Sequence, residues 1–248
     1  MLVMVTVSML VAACGPASTP MVVEKVVEKP VVQTVVVEKV ITATPAPAVK
    51  PTTLRVAIIG NPPMLDIQGT TATLTSDIAR HIYEGLFAFD ANYKPVPDLV
   101  DTWSASEDGT EYNFTLRRGV KFHNGKELTA ADAVASLKRS GVLSTTGKAM
   151  FKNIERLEAQ GTYDFVLKLK TPDPTVLIWF SLPWGFVLPQ EVADKYPDKP
   201  IADTKDIIGT GPYKLVEYLP DRHVKLERVM HFGAVVVILG HGQTTLPQ

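Results

Sequence analysis

Residues 119–132 read Gly-Val-Lys-Phe-His-Asn-Gly-Lys-Glu-Leu-Thr-Ala-Ala-Asp, and this stretch combines a tight turn with a helix start. Its Asn124-Gly125 dipeptide follows alternating apolar residues, a pattern typical of a two-residue β-hairpin. Thr129 stands three residues before Asp132, which is the spacing of a capping box at the beginning of a helix. The stretch therefore predicts antiparallel strands followed directly by a helix.

The segments on either side extend this mixture of strands and helices. Apolar residues at period two predict strands, and apolar residues four apart predict helices. The predicted strands are 54–59 as a buried first strand, 86–89, several short antiparallel strands over 103–122, a hairpin of 153–159 with 165–169, and a hairpin of 213–218 with 224–227; the predicted helices are 75–84, 129 to about 140, 175–182 and 190–196. Residues 95–98 predict a turn. The fold class is therefore α/β in the broad sense, with helices and antiparallel strands mixed (α+β).

The composition excludes several classes of protein. The 248 residues carry 25 Lys and Arg against 26 Asp and Glu, so no basic surplus is available to bind nucleic acid. Hydrophobic residues make up 46% and charged residues 21%, which excludes disorder as a description of the whole chain. The single cysteine, Cys14, excludes an intramolecular disulfide framework and a multi-cysteine metal site built by this chain alone.

The N-terminal region is typical of a targeting segment followed by a tether. Residues 1–13 are apolar and too few to span a bilayer as a helix, as in a signal peptide, although no Lys or Arg precedes the run. Small residues before Cys14 make this segment resemble the lipobox of bacterial lipoproteins, which implies lipid attachment at that thiol; the alternative is a chance cysteine beside a secretory signal. Residues 14–51 predict a low-complexity tether, because 22–40 contain ten Val and 42–48 are rich in Pro. The alternative for the Val-rich part is a strand of the fold.

No motif in the sequence supports catalysis or metal binding. Residues 119–127 and 141–149 each have one residue too many between their glycines for a phosphate-binding loop and lack its hydroxyl. The five histidines show no paired ligand spacing, and Asp98 with Asp101 fits a solvated face or a cap better than an acid–base pair. We therefore predict no enzyme activity, no metal site and no cofactor.

Five blocks of sequence, in order, resemble extracellular solute-binding protein family 5 of ABC transporters, the peptide- and nickel-binding group. The blocks are Arg-His-Ile-Tyr-Glu-Gly-Leu-Phe at 80–87, Pro-Val-Pro-Asp-Leu at 95–99, the Trp103 to Arg117 segment, the opening stretch 119–132, and Gly-Thr-Gly-Pro-Tyr at 209–213. The resemblance covers about 54–228 and implies a periplasmic-binding-protein-like class II lobe. It further implies an inserted N-terminal subdomain over about 80–190, with the chain returning to the first lobe near Gly209.

The resemblance also implies a function. Family members have two lobes that close on a ligand like a hinge and hand it to a membrane permease. The expected ligand is a peptide or a related small solute, and the expected location is outside the cytoplasmic membrane, in the periplasm or at the cell surface, with attachment through the lipid anchor. The loop after the first strand contacts ligand in the family, which implies roles for Asn61 and Met64; the alternatives are a turn residue and a core Met. Two other hypotheses are an envelope lipoprotein that acts as an adaptor without binding ligand, and an envelope enzyme.

Residues 229–248 depart from the family pattern. They contain no Lys, Arg, Asp or Glu, where the average composition predicts about four. We expect that the second lobe is absent from this chain through a frameshift or a fragmentary gene, and that ligand affinity is lost or weakened as a result. The alternative is a genuine Val-rich terminal strand over 234–239.

Overall fold

Residues 53–230 are described by the computed structural model of the chain, and they contain both helices and antiparallel strands. Three short 3-10 turns, Ile67–Gly69, Pro183–Gly185 and Thr204–Asp206, lie between these elements. The helices are α1 (Thr73–Ile82), α2 (Ala130–Leu143), α3 (Thr145–Phe151), α4 (Val176–Phe180) and α5 (Gln190–Lys195); the strands are β1 (Phe87–Phe89), β2 (Pro95–Pro97), β3 (Val100–Ala105), β4 (Glu111–Leu116), β5 (Ile154–Ala159), β6 (Asp164–Leu169), β7 (Tyr213–Leu219) and β8 (His223–Arg228).

The strands form three antiparallel sheets. The largest has the order β3-β4-β6-β5, and the two smaller ones pair β1 with β2 and β7 with β8. Phe114 in β4 stands opposite Trp103 on one side and Phe165 on the other, so these three aromatic residues share one face of the sheet. The rings of Phe114 and Phe165 are stacked with centroids 4.9 Å apart, which fixes the register of the two central strands.

Two hydrophobic clusters make up the core of the described residues. The first lies between one face of the four-stranded sheet and helices α2 and α4, with Phe114, Leu137 and Phe180 fully buried. The second joins α1 and α5 to the segment 65–67, and the β7–β8 hairpin packs against it through partly buried side chains. The chain passes between the clusters at 83–87 and again at 186–188, where Val187 N donates to Glu84 O at 3.0 Å.

The opening stretch folds as the sequence predicts. Phe122 N and Lys126 O close the hairpin at 2.9 Å, and Gly125 has φ +87°, a left-handed conformation that favours glycine. Thr129 and Asp132 form the capping box of α2, with Thr129 N donating to the Asp132 carboxylate at 2.8 Å. The mixed class of the fold is confirmed.

The prediction of a buried strand at 54–59 is wrong. No strand is assigned to these positions, and Val56 is 73% exposed, while Ile59 is fully exposed. A strand needs a neighbour to pair its backbone N–H and C=O groups, and no other strand among residues 53–230 pairs with this segment. The apolar composition was therefore a poor guide to burial here.

Two further predictions need correction. Residues 95–98 do not form a simple turn, because Pro95–Pro97 is a strand whose partner is β1; proline is acceptable there since the two-stranded sheet has a free edge. Helix α2 does not end at Ser140-Gly141 but continues to Leu143. A Cβ at Gly141 would overlap the Phe151 ring, so this glycine allows α3 to pack closely on α2 rather than ending the helix.

Several predictions concern residues outside 53–230. The signal segment with Cys14, the whole tether over 14–51, and a terminal strand at 234–239 lie beyond the described part of the chain. Within 53–230, no helix has the length and apolar character needed to cross a membrane.

Candidate functional site

The loop that leads into α1 carries both residues predicted to contact a ligand, Asn61 and Met64. Asn61 is exposed, and its Oδ1 accepts hydrogen bonds from Asp221 N at 3.3 Å and from the Tyr218 hydroxyl at 3.5 Å. The Tyr218 hydroxyl also lies 2.9 Å from Pro62 O, so the tip of the β7–β8 hairpin holds this end of the loop. Asn61 thus faces solvent, and the β7–β8 hairpin holds both its side-chain oxygen and the carbonyl of the next residue, Pro62.

Met64 lies at the inner side of the same loop. Its carbonyl oxygen accepts a hydrogen bond from the Thr75 hydroxyl at 2.6 Å, which ties the loop to the first turn of α1. Its sulfur lies 3.1 Å from the position that a Cβ on Gly69 would occupy, so the side chain is directed toward the 3-10 turn and is only partly exposed. The structure therefore places both predicted residues in one loop but gives Met64 a packing role and leaves Asn61 open to solvent.

A buried ion pair anchors the continuation of this loop to α2. The carboxylate of Asp66 and the guanidinium of Arg139 are almost fully inaccessible to solvent, and Arg139 Nη1 lies 3.2 Å from Asp66 Oδ1. The second carboxylate oxygen also accepts from Ile201 N at 2.9 Å. A buried charge is tolerable only when it is paired and hydrogen-bonded in this way.

The remaining donors of the pair are also satisfied. Arg139 donates to Tyr196 O at 2.7 Å, to Lys199 O at 3.0 Å and to the side chain of Gln68 at 2.9 Å. Gln68 in turn donates to Ser136 O and Phe186 O, both at 3.1 Å. One network thus joins the loop, α2 and the segment after α5, and it holds the loop rigid behind the exposed Asn61.

Two partly buried carboxyl groups lie near the segments where the chain passes between the hydrophobic clusters. Burial and the neighbouring Asp98 together raise the pKa of Glu84 to about 8, against the opposing effects of the Thr210 side chain and of Arg117. Burial likewise raises the pKa of Asp98 to about 6, against the effects of the Gly85 backbone N–H and of Arg117. Near neutral pH, Glu84 is therefore mostly protonated and can pack without the cost of a buried charge.

Two shallow depressions on the surface of the described part of the chain each have a volume of about 280 Å³. One lies on the four-stranded sheet, beside Thr102, Asn113 and Asp164, and the other lies between Gln68–Thr71 and the start of α3. Asn61 and Met64 line neither depression. No group of three or more His, Cys, Asp or Glu side chains within residues 53–230 is arranged to hold a metal ion.

No pattern in the sequence identifies the residues that hold the loop in place. Asp66 and Arg139 are 73 positions apart, and Tyr218 is 157 positions from Asn61, so no local pattern connects them. One signal was present: Arg139 lies in the middle of α2 among residues that are mostly small or apolar, and a buried arginine requires a buried partner.

Comparison with known proteins agrees with this architecture. Residues 94–238 match the family described as bacterial extracellular solute-binding proteins, family 5 Middle. A probable peptide ABC transporter periplasmic-binding protein of Sinorhizobium fredii is 30% identical over 162 residues, covering 65% of this chain and 30% of the relative. The glutathione-binding protein GsiB of Salmonella choleraesuis is 31% identical over 188 residues, covering 73% of this chain and 35% of the relative.

Solved structures of binding proteins are similar in fold to this chain. AgaA from A. tumefaciens R10, solved with agropinic acid, has a TM-score of 0.59 and 30% identity over 68% of this chain and 34% of its own. DppA from Helicobacter pylori, solved with the peptide STSA, has a TM-score of 0.63 over 71% of this chain and 38% of its own; at 24% identity it shows the fold alone. The chain spans about a third of the length of these proteins.

The family match covers more than half of the chain, and 68% of the chain superposes on a solved relative with a TM-score of 0.59. Over about 70% of this chain, the fold is similar to part of a class II periplasmic binding protein. The chain belongs to family 5 of the bacterial extracellular solute-binding proteins.

Proposed function

We propose that this protein captures a peptide or a related small solute outside the cytoplasmic membrane and delivers it to the permease of an ABC importer. The family match over residues 94–238 is the observation that carries the proposal. Relatives named as peptide- and glutathione-binding proteins support a peptide-like ligand. The proposal includes no catalytic step, because the relatives are named for binding.

Within this proposal, Asn61 is a ligand contact and Met64 borders the same loop. Asn61 is exposed, and while its Oδ1 is held by Tyr218 and Asp221, its Nδ2 amide can donate to a carbonyl oxygen of a peptide. The buried pair of Asp66 and Arg139 holds the loop behind it, so a ligand would meet a preorganised surface. A preorganised loop loses little conformational entropy when the ligand binds.

The proposal places the protein on the outer side of the cytoplasmic membrane. Its support in the sequence is the apolar segment 1–13, the lipobox-like position of Cys14 and the Val- and Pro-rich residues 14–51. About 30 extended residues reach on the order of 100 Å, enough to hold a binding domain clear of the bilayer. The relative described as a periplasmic-binding protein is consistent with such a location.

Equilibrium dialysis of the full chain with the dipeptide Met-Leu tests the role of Asn61. We expect Asn61→Ala to weaken binding about 5- to 10-fold through the loss of one or two ligand hydrogen bonds. Tyr218→Phe is the matched control, since it removes the hydroxyl that contacts Asn61 and Pro62 but leaves the amide in place. Equal affinities of wild type and Asn61→Ala would remove Asn61 from the site, and equal losses in both variants would assign it a structural role.

A further inference from the structure

The loop before β7 packs unusually closely against the end of α1. Gly211 N donates to Ile82 O at 2.9 Å, and a Cβ on Gly209 would collide with the same carbonyl oxygen. The loop comprises residues 208–212, between the turn Thr204–Asp206 and β7. Because β7 begins at Tyr213, the position of this loop decides where the β7–β8 hairpin starts.

His123 makes three hydrogen bonds to this loop from the hairpin of the opening stretch. Its backbone N–H donates to Gly209 O at 2.9 Å, and its ring Nε2 lies 2.9 Å from Gly211 O. Its ring Nδ1 accepts a hydrogen bond from Gly209 N at 3.4 Å. Within residues 53–230, no other side chain forms hydrogen bonds to both of these glycines.

These partners define the protonation state of the ring. A carbonyl oxygen can only accept, so Nε2 must carry a hydrogen to bond Gly211 O. A backbone N–H can only donate, so Nδ1 must be without one to accept from Gly209. The two ring contacts therefore require the neutral imidazole with its hydrogen on Nε2, and protonation of Nδ1 would set two hydrogens against each other.

The surroundings of the ring oppose protonation. Burial lowers the pKa of His123 below its ordinary value and the charge of Lys214 on β7 lowers it further, while the hydrogen bond to Gly211 O opposes this. On the adjoining elements, Lys126 pairs with Asp132 and Glu191, Glu127 accepts from Gly119 N and the Tyr163 hydroxyl, and Lys214 itself pairs with Glu227. The remaining charged or titratable side chains on the hairpin and at the end of α1 are exposed to solvent: Lys121, Arg80 and His81. The neutral ring is thus the stable form at neutral pH.

We propose that His123 is a pH-sensitive positioning residue whose neutral imidazole holds the 208–212 loop, and with it the β7–β8 hairpin, against α1. Acidification releases the contact to Gly209 and loosens the loop. The same hairpin contacts Asn61 through Tyr218 and Asp221, so the release would also alter the surroundings of that residue. This last link to ligand capture rests on the proposed function, whereas the contact between ring and loop does not.

Hydrogen exchange of the full chain, read by NMR between pH 5 and pH 8 as protection factors, tests the proposal without a ligand. In the wild type we expect the protection of the Gly209 and Gly211 amides to fall roughly fivefold at the acidic end, the equivalent of one ordinary hydrogen bond. The amides within α2 serve as the internal reference. His123→Ala should give low protection at every pH and no pH dependence. His223→Gln is the matched control, because His223 is an exposed histidine on the hairpin itself and should leave the wild-type response unchanged.

A second measurement on the wild type keeps the proposal testable if His123→Ala does not fold. Nitrogen-15 NMR of the histidine rings should show an unprotonated Nδ1 for His123 and a ring that titrates below the ordinary pKa of histidine. A ring protonated on Nδ1 at pH 7, or pH-independent protection of Gly209 and Gly211 in the wild type, would overturn the proposal. Failure of ligand binding would leave both readings unaffected and would count only against the proposed function.

Discussion

Arg139 is a buried charge in α2, and a single carboxylate, that of Asp66, is its counter-ion. Removing one member of a buried pair leaves the other charge without compensation, at a cost of about 3–5 kcal/mol. Substitution of either partner therefore tests whether the ion pair anchors the loop that carries Asn61 and Met64 to α2. The ion pair also explains why a charged residue is placed on the inner face of that helix.

We expect Arg139→Met to lower the free energy of unfolding by about 3–5 kcal/mol, measured by urea denaturation of the full chain. The double variant with Asp66→Asn should lose less than the single one, because it no longer strands a buried charge. Lys168→Met is the control: Lys168 pairs with Glu155 at 3.6 Å on the surface, and its loss should cost about 0–1 kcal/mol. Similar losses for Arg139→Met and Lys168→Met would contradict the described network.

Glu84 gives a prediction for pH. Because burial and Asp98 raise its pKa to about 8 in the folded chain, above its unfolded value, the folded state binds the proton more tightly. Its contribution to stability is therefore complete at acidic pH and is lost as the pH rises through about 8. Urea denaturation should show that the free energy of unfolding of the wild type falls between pH 5 and pH 8.5. For Glu84→Gln, we expect this decrease to be smaller by roughly 1–3 kcal/mol. The exposed Glu158→Gln should follow the wild type, and a Glu84→Gln profile identical to the wild type would refute the assignment.

At the scale of elements, the packing of α3 on α2 depends on Gly141. Alanine is a better helix former than glycine by about 1 kcal/mol, so helix propensity alone predicts that Gly141→Ala stabilises the protein. The contact with Phe151 predicts the opposite, a loss of about 1–3 kcal/mol from overpacking, observable in the midpoint of thermal unfolding. Combining the change with Phe151→Leu should recover part of the loss. Lys138→Ala, at an exposed position of α2, should have little effect, and a stabilised Gly141→Ala would show that the contact is absent.

Some of the secondary-structure elements could be predicted from local sequence patterns, and others could not. The hairpin at Asn124-Gly125 and the start of α2 were predictable, because a turn and a capping box are specified by residues next to each other. The end of α2 was not, because Gly141 is a helix-breaking residue by propensity and a packing residue in its actual setting. The segment 54–59 was assigned wrongly since strand formation depends on a partner that composition does not reveal.

The candidate site was predictable only in part. Asn61 and Met64 were proposed through family resemblance, and their status as ligand contacts stays a prediction. The contacts that hold them, from Tyr218 and the pair of Asp66 and Arg139, bring together positions far apart in the chain. Such contacts follow from the tertiary fold, which a local pattern cannot specify.

At the scale of the whole molecule, the proposed location depends on the lipid at Cys14. Expression of the full chain in a bacterial host, followed by fractionation, should place the wild type with the membranes through its acyl chains and release Cys14→Ser into the soluble fraction. Ser8→Ala, a change within the apolar run that leaves the thiol intact, is the control. Retention of both Cys14→Ser and the wild type in the membrane fraction would contradict lipid anchoring at this residue.

The most direct test of peptide capture is an NMR titration of the full chain. The ligands are the dipeptide Met-Leu and reduced glutathione. An exposed loop encloses little of a ligand's surface, so we expect weak, saturable binding with a Kd of about 0.1–1 mM. The amide signals of Asn61 and Met64 should shift, while those of the four-stranded sheet should not. Linear, non-saturating shifts, or saturable shifts confined to the sheet, would contradict the account.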